Sequence, residues 1–177
     1  MKIFVIESSP HKISSSNMLA GEFIKGATEA GHSVSVFDAG KKPVSPCIAC
    51  DICRQKGRCF KDDMNEIKAG IREADMIVFV TPLYYFGMSA QLKNVIDRFY
   101  SFNDRLTEKK LKSALICAGY DTDYNSFAPL EGHYKTIADF LKFENMGVLM
   151  GLGCGTPEMT QNSQYMQKAY EFGKKIY

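Results

Sequence analysis

Short apolar runs alternate with amphipathic segments five times along this chain of 177 residues. Strand patterns cover residues 2–6, 32–38, 76–80, 111–117 and 147–152, and helical patterns cover 16–29, 64–74, 89–103, 127–145 and 163–176. Such an alternation favours a parallel sheet with helices on both faces, because right-handed crossovers join parallel strands. The sequence therefore predicts one α/β domain over residues 1–177, built on a five-stranded parallel sheet.

Composition limits the class of protein. The content of 45% hydrophobic and 24% charged residues is ordinary for a soluble globular domain, and a net charge of +2 gives no electrostatic case for nucleic acid or a membrane surface. No apolar run approaches the ~20 residues of a membrane span, and the chain enters a strand pattern without a signal-peptide pattern. We therefore expect a cytoplasmic protein, in which six cysteines point to metal, redox or core roles before disulfides.

A serine-rich turn joins the first predicted strand to the first predicted helix. Residues 8–16 read SSPHKISSS. Hydroxyl groups and the free N–H groups of a helix start can seat a phosphate, and the helix dipole favours its negative charge. A loop with an ordinary N-cap has a similar composition. This stretch alone does not choose between a phosphate site and a simple turn.

Two further loops follow strands of the predicted sheet. Residues 82–88 place three aromatic residues after a proline, which suits a flat ring, and residues 118–125 begin with small residues that let backbone approach a ligand closely. Ligands of open parallel sheets bind beyond the carboxyl ends of the strands, so the three loops are expected to share one edge. A phosphate seat beside a flat-ring site outlines flavin mononucleotide (FMN). Core packing is the alternative for the three aromatic residues.

Residues 8–19 (SSPHKISSSNML) and 81–98 (TPLYYFGMSAQLKNVIDR) resemble the phosphate loop and second flavin loop of the NADPH-dependent FMN reductase group of flavodoxin-like proteins. Residues 59–64 (CFKDDM) and 111–119 (LKSALICAG) fit the same group. The resemblance implies a flavodoxin-like doubly wound sandwich with strand order 2-1-3-4-5. It also implies an oxidoreductase in which FMN takes electrons from NAD(P)H and passes them to an acceptor.

The same resemblance assigns residues to the cofactor. Ser9, His11, Ser14, Ser15 and Ser16 would hold the phosphate, Pro82, Leu83, Tyr84 and Phe86 would border the isoalloxazine, and Ala118, Gly119 and Tyr120 would face its other side or its polar edge. Ser8, His11 and Ser14 depart from the family loop, which usually has glycine, arginine and glycine there. The missing permanent charge at His11 implies weaker or pH-dependent phosphate binding. No catalytic side chain is predicted, because the chemistry belongs to the flavin.

Four cysteines, Cys47, Cys50, Cys53 and Cys59, lie in the irregular stretch of residues 39–62. Their short spacings can aim successive thiolates at one centre, as in ferredoxin-type sites. They resemble the compact motif of iron–sulfur flavoproteins, a subgroup of the same family that holds a [4Fe–4S] cluster beside FMN. Three interpretations stay open: a [4Fe–4S] cluster that relays single electrons, a structural zinc site, or free or partly disulfide-bonded thiols.

Other classes of function also stay open. One is a flavodoxin-like electron carrier without enzyme activity, although such carriers are usually strongly acidic; another is a module that binds a metal or partner through residues 39–62 without flavin. For an enzyme, we expect a quinone-like small molecule or a ferredoxin-like protein as the acceptor, and no nucleic-acid or membrane partner. Phe99, Tyr100 and Phe102 exceed what one core needs, and relatives are often dimers, so a homodimer or homotetramer is predicted.

Overall fold

The computed structural model describes residues 1–61 and 63–177. Its strands are β1 Lys2–Glu7, β2 Ser33–Asp38, β3 Met76–Tyr84, β4 Gly87–Met88, β5 Lys112–Ala118 and β6 Glu144–Gly151. Its α-helices are α1 Ser15–Glu29, α2 Ile52–Lys56, α3 Asn65–Glu73, α4 Ala90–Asp97, α5 Asn103–Lys109, α6 Ala128–Phe140, α7 Pro157–Gln161 and α8 Tyr165–Lys175. Short 3-10 helices cover Arg98–Phe102 and Tyr124–Ser126. Within the described ranges, every helix is too short or too polar to cross a membrane.

The predicted α/β architecture with a parallel sheet is confirmed. The parallel strands follow the order β2-β1-β3-β5-β6. The short strand β4 pairs antiparallel with the end of β3, where Leu83 opposes Met88 and Tyr84 opposes Gly87. The predicted count of five strands in the order 2-1-3-4-5 is therefore corrected to six, with β4 beside β3 and outside the parallel order. A strand of two residues is too short to show an alternating pattern.

An apolar core lies on each face of the sheet. Ile3 and Val5 of β1 belong to the core beneath α1 and α8, whereas Phe4 and Ile6 belong to the core beneath α3, α4 and α6. Because helices cover both faces, the strands are apolar on both sides, which explains their continuous apolar sequences.

Helices α1 and α8 pack backbone against backbone. A Cβ atom at Gly173 would lie 2.0 Å from the carbonyl oxygen of Phe23, and one at Gly26 would lie 2.1 Å from that of Tyr170. Only glycine fits at these two positions, so the pair sets how closely α8 covers the sheet.

Several predicted boundaries differ from the structure. The helix expected over 127–145 ends at Phe140, because Lys142 adopts a left-handed φ of 57° and β6 begins at Glu144. Strand β3 continues beyond residue 80 to Tyr84. The irregular stretch 39–62 contains the short helix α2, and its residue 62 lies outside the described residues.

Candidate functional site

Loops at the carboxyl ends of β1, β3 and β5 enclose a cavity of about 350 Å³. Its lining includes the predicted residues Ser9, His11, Ser14, Ser15, Ser16, Pro82, Leu83, Tyr84, Ala118, Gly119 and Tyr120. Phe86 is the predicted cofactor residue that does not line this cavity. Cavities of this volume commonly hold small molecules. The structure thus brings the three loops together at one sheet edge, while the role of each residue toward a cofactor stays a prediction.

One end of the cavity is rich in buried hydroxyl groups. Ser14 is the N-cap of α1, with an extended backbone (φ −133°), and its Oγ accepts the N–H of Asn17 at 3.5 Å. The same Oγ lies 3.0 Å from Oγ of Ser16, and Ser9, Ser14 and Ser16 are all buried. The first N–H groups of a helix have no partner within the helix, and the dipole there favours an anion. Hydroxyls, amides and dipole together can hold a phosphate.

The aromatic loop forms the tight turn between β3 and β4. Tyr85 and Phe86 have left-handed φ values of 46° and 62°, which cost about 1 kcal/mol or more for each non-glycine residue. Tyr84, Tyr85 and Phe86 are 39%, 100% and 57% exposed, so the alternative of core packing is wrong for all three. The turn therefore holds aromatic rings in solvent beside the cavity.

A fourth loop, after β6, completes the cavity although its residues were not among the predicted ones. Gly155, Thr156 and Pro157 line it, together with the buried Cys154. A Cβ atom at Gly155 would lie 2.3 Å from the ring of Tyr120, so this glycine allows that ring its position. The available signal was the glycine-rich stretch GLGCGTP, which begins at the last residue of the last parallel strand, at the same sheet edge.

A carboxyl group lies behind the serine-rich loop. Glu7, the last residue of β1, accepts a hydrogen bond from Nδ2 of Asn17 at 2.9 Å. Burial raises the pKa of Glu7 to about 7; the neighbouring Asp38 adds to the rise, and Lys41 opposes it. Asp38 is the register partner of Glu7 on β2 and forms an ion pair with Lys41 at 2.7 Å. Glu7 was not a predicted site residue, although its position directly before the predicted phosphate loop could have indicated that its carboxylate lies near the site.

The four cysteines line one small cavity of about 30 Å³ beside α4 and the 3-10 helix that follows it. Their thiols are free; Cys47 and Cys50 are exposed, whereas Cys53 and Cys59 are half-buried. Left-handed residues turn the chain between them, with φ 52° at Ala49 and 54° at Asp51. Within the described ranges, no three His, Cys, Asp or Glu side chains converge closely enough for one metal ion. Four thiolates are nevertheless the ligand set of a [4Fe–4S] cluster, which spaces its cysteines wider than a single ion does.

Comparison with known proteins gives the family. The family model for NADPH-dependent FMN reductase matches residues 1–122. The chain belongs to the NADPH-dependent FMN reductase family. This confirms the resemblance seen in the sequence, and the part matched to the FMN reductase family contains the serine-rich loop, the aromatic turn and all four cysteines. The loop after β6 lies beyond it.

Individual known proteins are similar to the chain over different shares of its length. An iron-sulfur flavoprotein of Methanocaldococcus jannaschii is 35% identical over 99 residues, which are 55% of this chain and 51% of the relative, so the chain matches about half of that protein's length. An iron-sulfur flavoprotein of Archaeoglobus fulgidus is 27% identical over 179 residues, which are 99% of this chain and 79% of the relative. The NAD(P)H:quinone oxidoreductase from Methanothermobacter marburgensis shares the fold, with a TM-score of 0.77 at 19% identity over 100% of this chain and 97% of that one.

Proposed function

We propose that the chain is an FMN-dependent oxidoreductase that takes electrons from NAD(P)H and passes them to a small-molecule or protein acceptor. The observation that carries this proposal is the single cavity at which the serine-rich loop, the end of β3 and the start of the loop after β5 meet. Membership of the NADPH-dependent FMN reductase family supports the same conclusion.

The residues around the cavity fit FMN. Ser14, Ser15 and Ser16, at the start of α1, would hold the phosphate with their hydroxyls and backbone amides. The exposed His11 would add a donor, while Ser9 lies buried at the same end. This chemistry matches the donor set that a phosphate needs.

The other end of the cavity suits a flat ring. Pro82, Leu83 and Tyr84 offer apolar surface, and Ala118 and Gly119 leave the backbone bare. A Cβ atom at Gly119 would lie 2.8 Å from the ring of Phe127 and 3.0 Å from Cβ of Leu83, so only glycine fits there. These residues would orient the ring and exclude water from one side. FMN, when bound, supplies the hydride acceptance and electron transfer.

Phe86 and Tyr120 would act from the rim. Phe86 lies outside the cavity lining on the strained turn, and Tyr120 is 74% exposed. We propose that both rings border the isoalloxazine of bound FMN, or the substrate that binds beside it, and that neither ring contacts the FMN phosphate.

We propose that Cys47, Cys50, Cys53 and Cys59 hold a [4Fe–4S] cluster, which when bound supplies one-electron transfer. Their shared cavity and the names of the iron-sulfur flavoprotein relatives support this. The test is iron and acid-labile sulfide analysis of protein purified without oxygen. Iron with sulfide, lost in Cys50→Ser, supports the cluster. Zinc without sulfide, or neither metal nor sulfide, removes it.

Continuous oxidation of NAD(P)H by the protein alone would distinguish the proposed oxidoreductase from an electron carrier without enzyme activity. The FMN-loaded protein, mixed with NADPH or NADH and a quinone, is expected to oxidise the nicotinamide continuously. A carrier would do so only after a separate reductase is added, so the absence of turnover by the protein alone would remove the proposed activity.

The acceptor, location and assembly stay proposals. We keep a quinone-like molecule or a ferredoxin-like protein as the acceptor, a cytoplasmic location, and a homodimer or homotetramer. Of the three aromatic residues from which assembly was predicted, Phe99 is buried and Phe102 packs edge-on against it, with ring centroids 5.6 Å apart, whereas Tyr100 is exposed. Light scattering that gives the monomer mass at micromolar concentration would exclude both assemblies.

A further inference from the structure

A buried guanidinium joins the two ends of the cysteine loop, defined here as residues 45–61. Arg98 follows α4 and is 2% exposed. Its Nη1 donates to the carbonyl oxygen of Ser45 at 2.9 Å, and its Nη2 donates to that of Lys61 at 3.3 Å. Ser45 precedes the first cysteine of the loop and Lys61 follows the last, so one planar group holds the two ends of the loop together. We call this pair of ends, Ser45 and Lys61, the neck of the loop.

Asp63 completes this closure from the other side. Its Oδ2 accepts the N–H of Ser45 at 2.8 Å, and its Oδ1 lies 2.9 Å from Nη2 of Arg98 in an ion pair. Desolvation raises the pKa of Asp63, but the hydrogen bonds from Ser45 and the Arg98 guanidinium outweigh it and lower the pKa overall. The carboxyl is therefore charged near neutral pH and pairs with the buried cation.

The same guanidinium reaches a cysteine. Nη2 of Arg98 donates to Sγ of Cys59 at 3.4 Å, and Arg98 lines the small cavity that all four cysteines share. Its Nε has no hydrogen-bond partner among the described residues. A buried cation with an unused donor is costly, and negative charge placed in the adjoining cavity lowers that cost.

We propose that Arg98 is the positioning residue of the cysteine site: with Asp63 it closes the loop neck, directs Cys59 to the shared cavity, and faces the thiolates with positive charge. This inference rests on the proposed cluster site. A free loop would bring its thiols together only at an entropic cost, which the closed neck reduces beforehand. Lysine carries the same charge but lacks the planar fork that bridges two carbonyls. Two further hydrogen bonds of the loop, from Lys61 Nζ to the Pro46 carbonyl and from the Tyr100 hydroxyl to the Asp51 carboxylate, are exposed to solvent, unlike those of Arg98.

The test uses three variants of the full chain: Arg98→Lys, which keeps the charge, Arg98→Met, which removes it, and the control Arg105→Met, at an exposed position on α5. The first readout is the initial rate at which trypsin cuts the metal-free protein within the loop, after Arg54, Lys56, Arg58 or Lys61. Both Arg98 variants are expected to be cut about tenfold faster, because each loses charged hydrogen bonds to the neck. The control is expected to match the wild type, and equal rates for all four proteins overturn the inference.

The second readout is the cluster itself after reconstitution without oxygen. We expect both Arg98 variants to retain less iron and sulfide per chain than the wild type. In the protein molecules that carry a cluster, the midpoint potential of the cluster is expected to shift negative in Arg98→Met, because a nearby cation favours the reduced state. In Arg98→Lys, which keeps the charge, it is expected to stay near the wild-type value. An unchanged potential in Arg98→Met overturns the charge role.

The two readouts separate the inference from the proposed cluster. If the wild type takes up no iron, the cluster proposal fails while the trypsin rates still decide whether Arg98 closes the loop. If Arg98→Met does not fold, Arg98→Lys decides the trypsin assay, since it keeps the positive charge beside Asp63 and loses the planar fork that bridges the carbonyls of Ser45 and Lys61. Faster cutting of Arg98→Lys supports the closure, and an unchanged rate contradicts it.

Discussion

Replacing Glu7 with glutamine is expected to stabilise the protein at pH 8 and to change its stability little near pH 4. Glu7 is partly buried at the end of β1, where it accepts a hydrogen bond from Asn17 that a glutamine oxygen can also accept. Burial, and to a lesser extent Asp38, raise its pKa from 4.5 to about 7. The folded protein therefore holds this proton more tightly than the unfolded chain does.

Proton linkage gives the sign and size of the expected change in the free energy of unfolding. As pH rises from 4.5 toward 7, the unfolded chain loses the proton first, so the wild type loses stability across that interval and no further above it. The full rise in pKa corresponds to ~3 kcal/mol. Since the carboxyl is partly open to solvent, we expect about 1–2 kcal/mol of the free energy of unfolding to be regained in Glu7→Gln at pH 8.

Urea unfolding at pH 4 and pH 8 checks this prediction. The difference between Glu7→Gln and wild type should grow with pH, whereas the exposed control Glu108→Gln should differ from wild type by a small and nearly constant amount at both values. A Glu7→Gln protein that is equally or less stable than wild type at pH 8 would show that the carboxyl is well solvated or well paired, and would refute the reasoning.

Three further substitutions test other parts of the structure. Ser16→Ala should weaken FMN binding about 10- to 100-fold in a flavin fluorescence titration and leave riboflavin binding unchanged, because only FMN carries the phosphate; an equal loss for both flavins would contradict the phosphate site. Gly173→Ala should lower the free energy of unfolding, measured in urea, by about 1–3 kcal/mol, because its Cβ would lie 2.0 Å from the Phe23 carbonyl oxygen. The control Gly132→Ala, whose Cβ would have no neighbouring atom within 4 Å, should not destabilise the protein. Equal effects of the two substitutions would argue against close packing of α1 and α8. Tyr85→Gly should raise the midpoint temperature of thermal unfolding, because glycine adopts a φ of 46° without strain and the Tyr85 ring is fully exposed. The affinity for FMN should not change. A lower midpoint would mean that the ring makes stabilising contacts.

The sequence allowed the parallel sheet and the cavity edge to be predicted because both depend on local patterns. Each apolar run defines a strand, and the loop after each strand has a fixed place at the carboxyl edge. The pattern failed where tertiary structure overrides it. The apolar stripe continues past Phe140, but the left-handed turn at Lys142 ends the helix there.

The parts of the site that escaped prediction depend on contacts between distant residues. Arg98 meets Ser45 across 53 positions and Lys61 across 37, which no local motif records. Glu7 gains its raised pKa from burial and from Asp38 on the neighbouring strand. Phe86 was assigned from the family resemblance; it is the second of two consecutive left-handed residues, and the cavity lining does not include it.

The central claim is that the cavity binds FMN, and equilibrium titration of the flavin-free protein with FMN tests it most directly. Quenching of flavin fluorescence reports binding, and riboflavin and the Ser16→Ala variant serve as controls. We predict saturable binding of one FMN per chain, with much weaker binding of riboflavin and of FMN to the variant. No saturable FMN binding, or binding of FMN and riboflavin with equal affinity in both proteins, would contradict the proposed site.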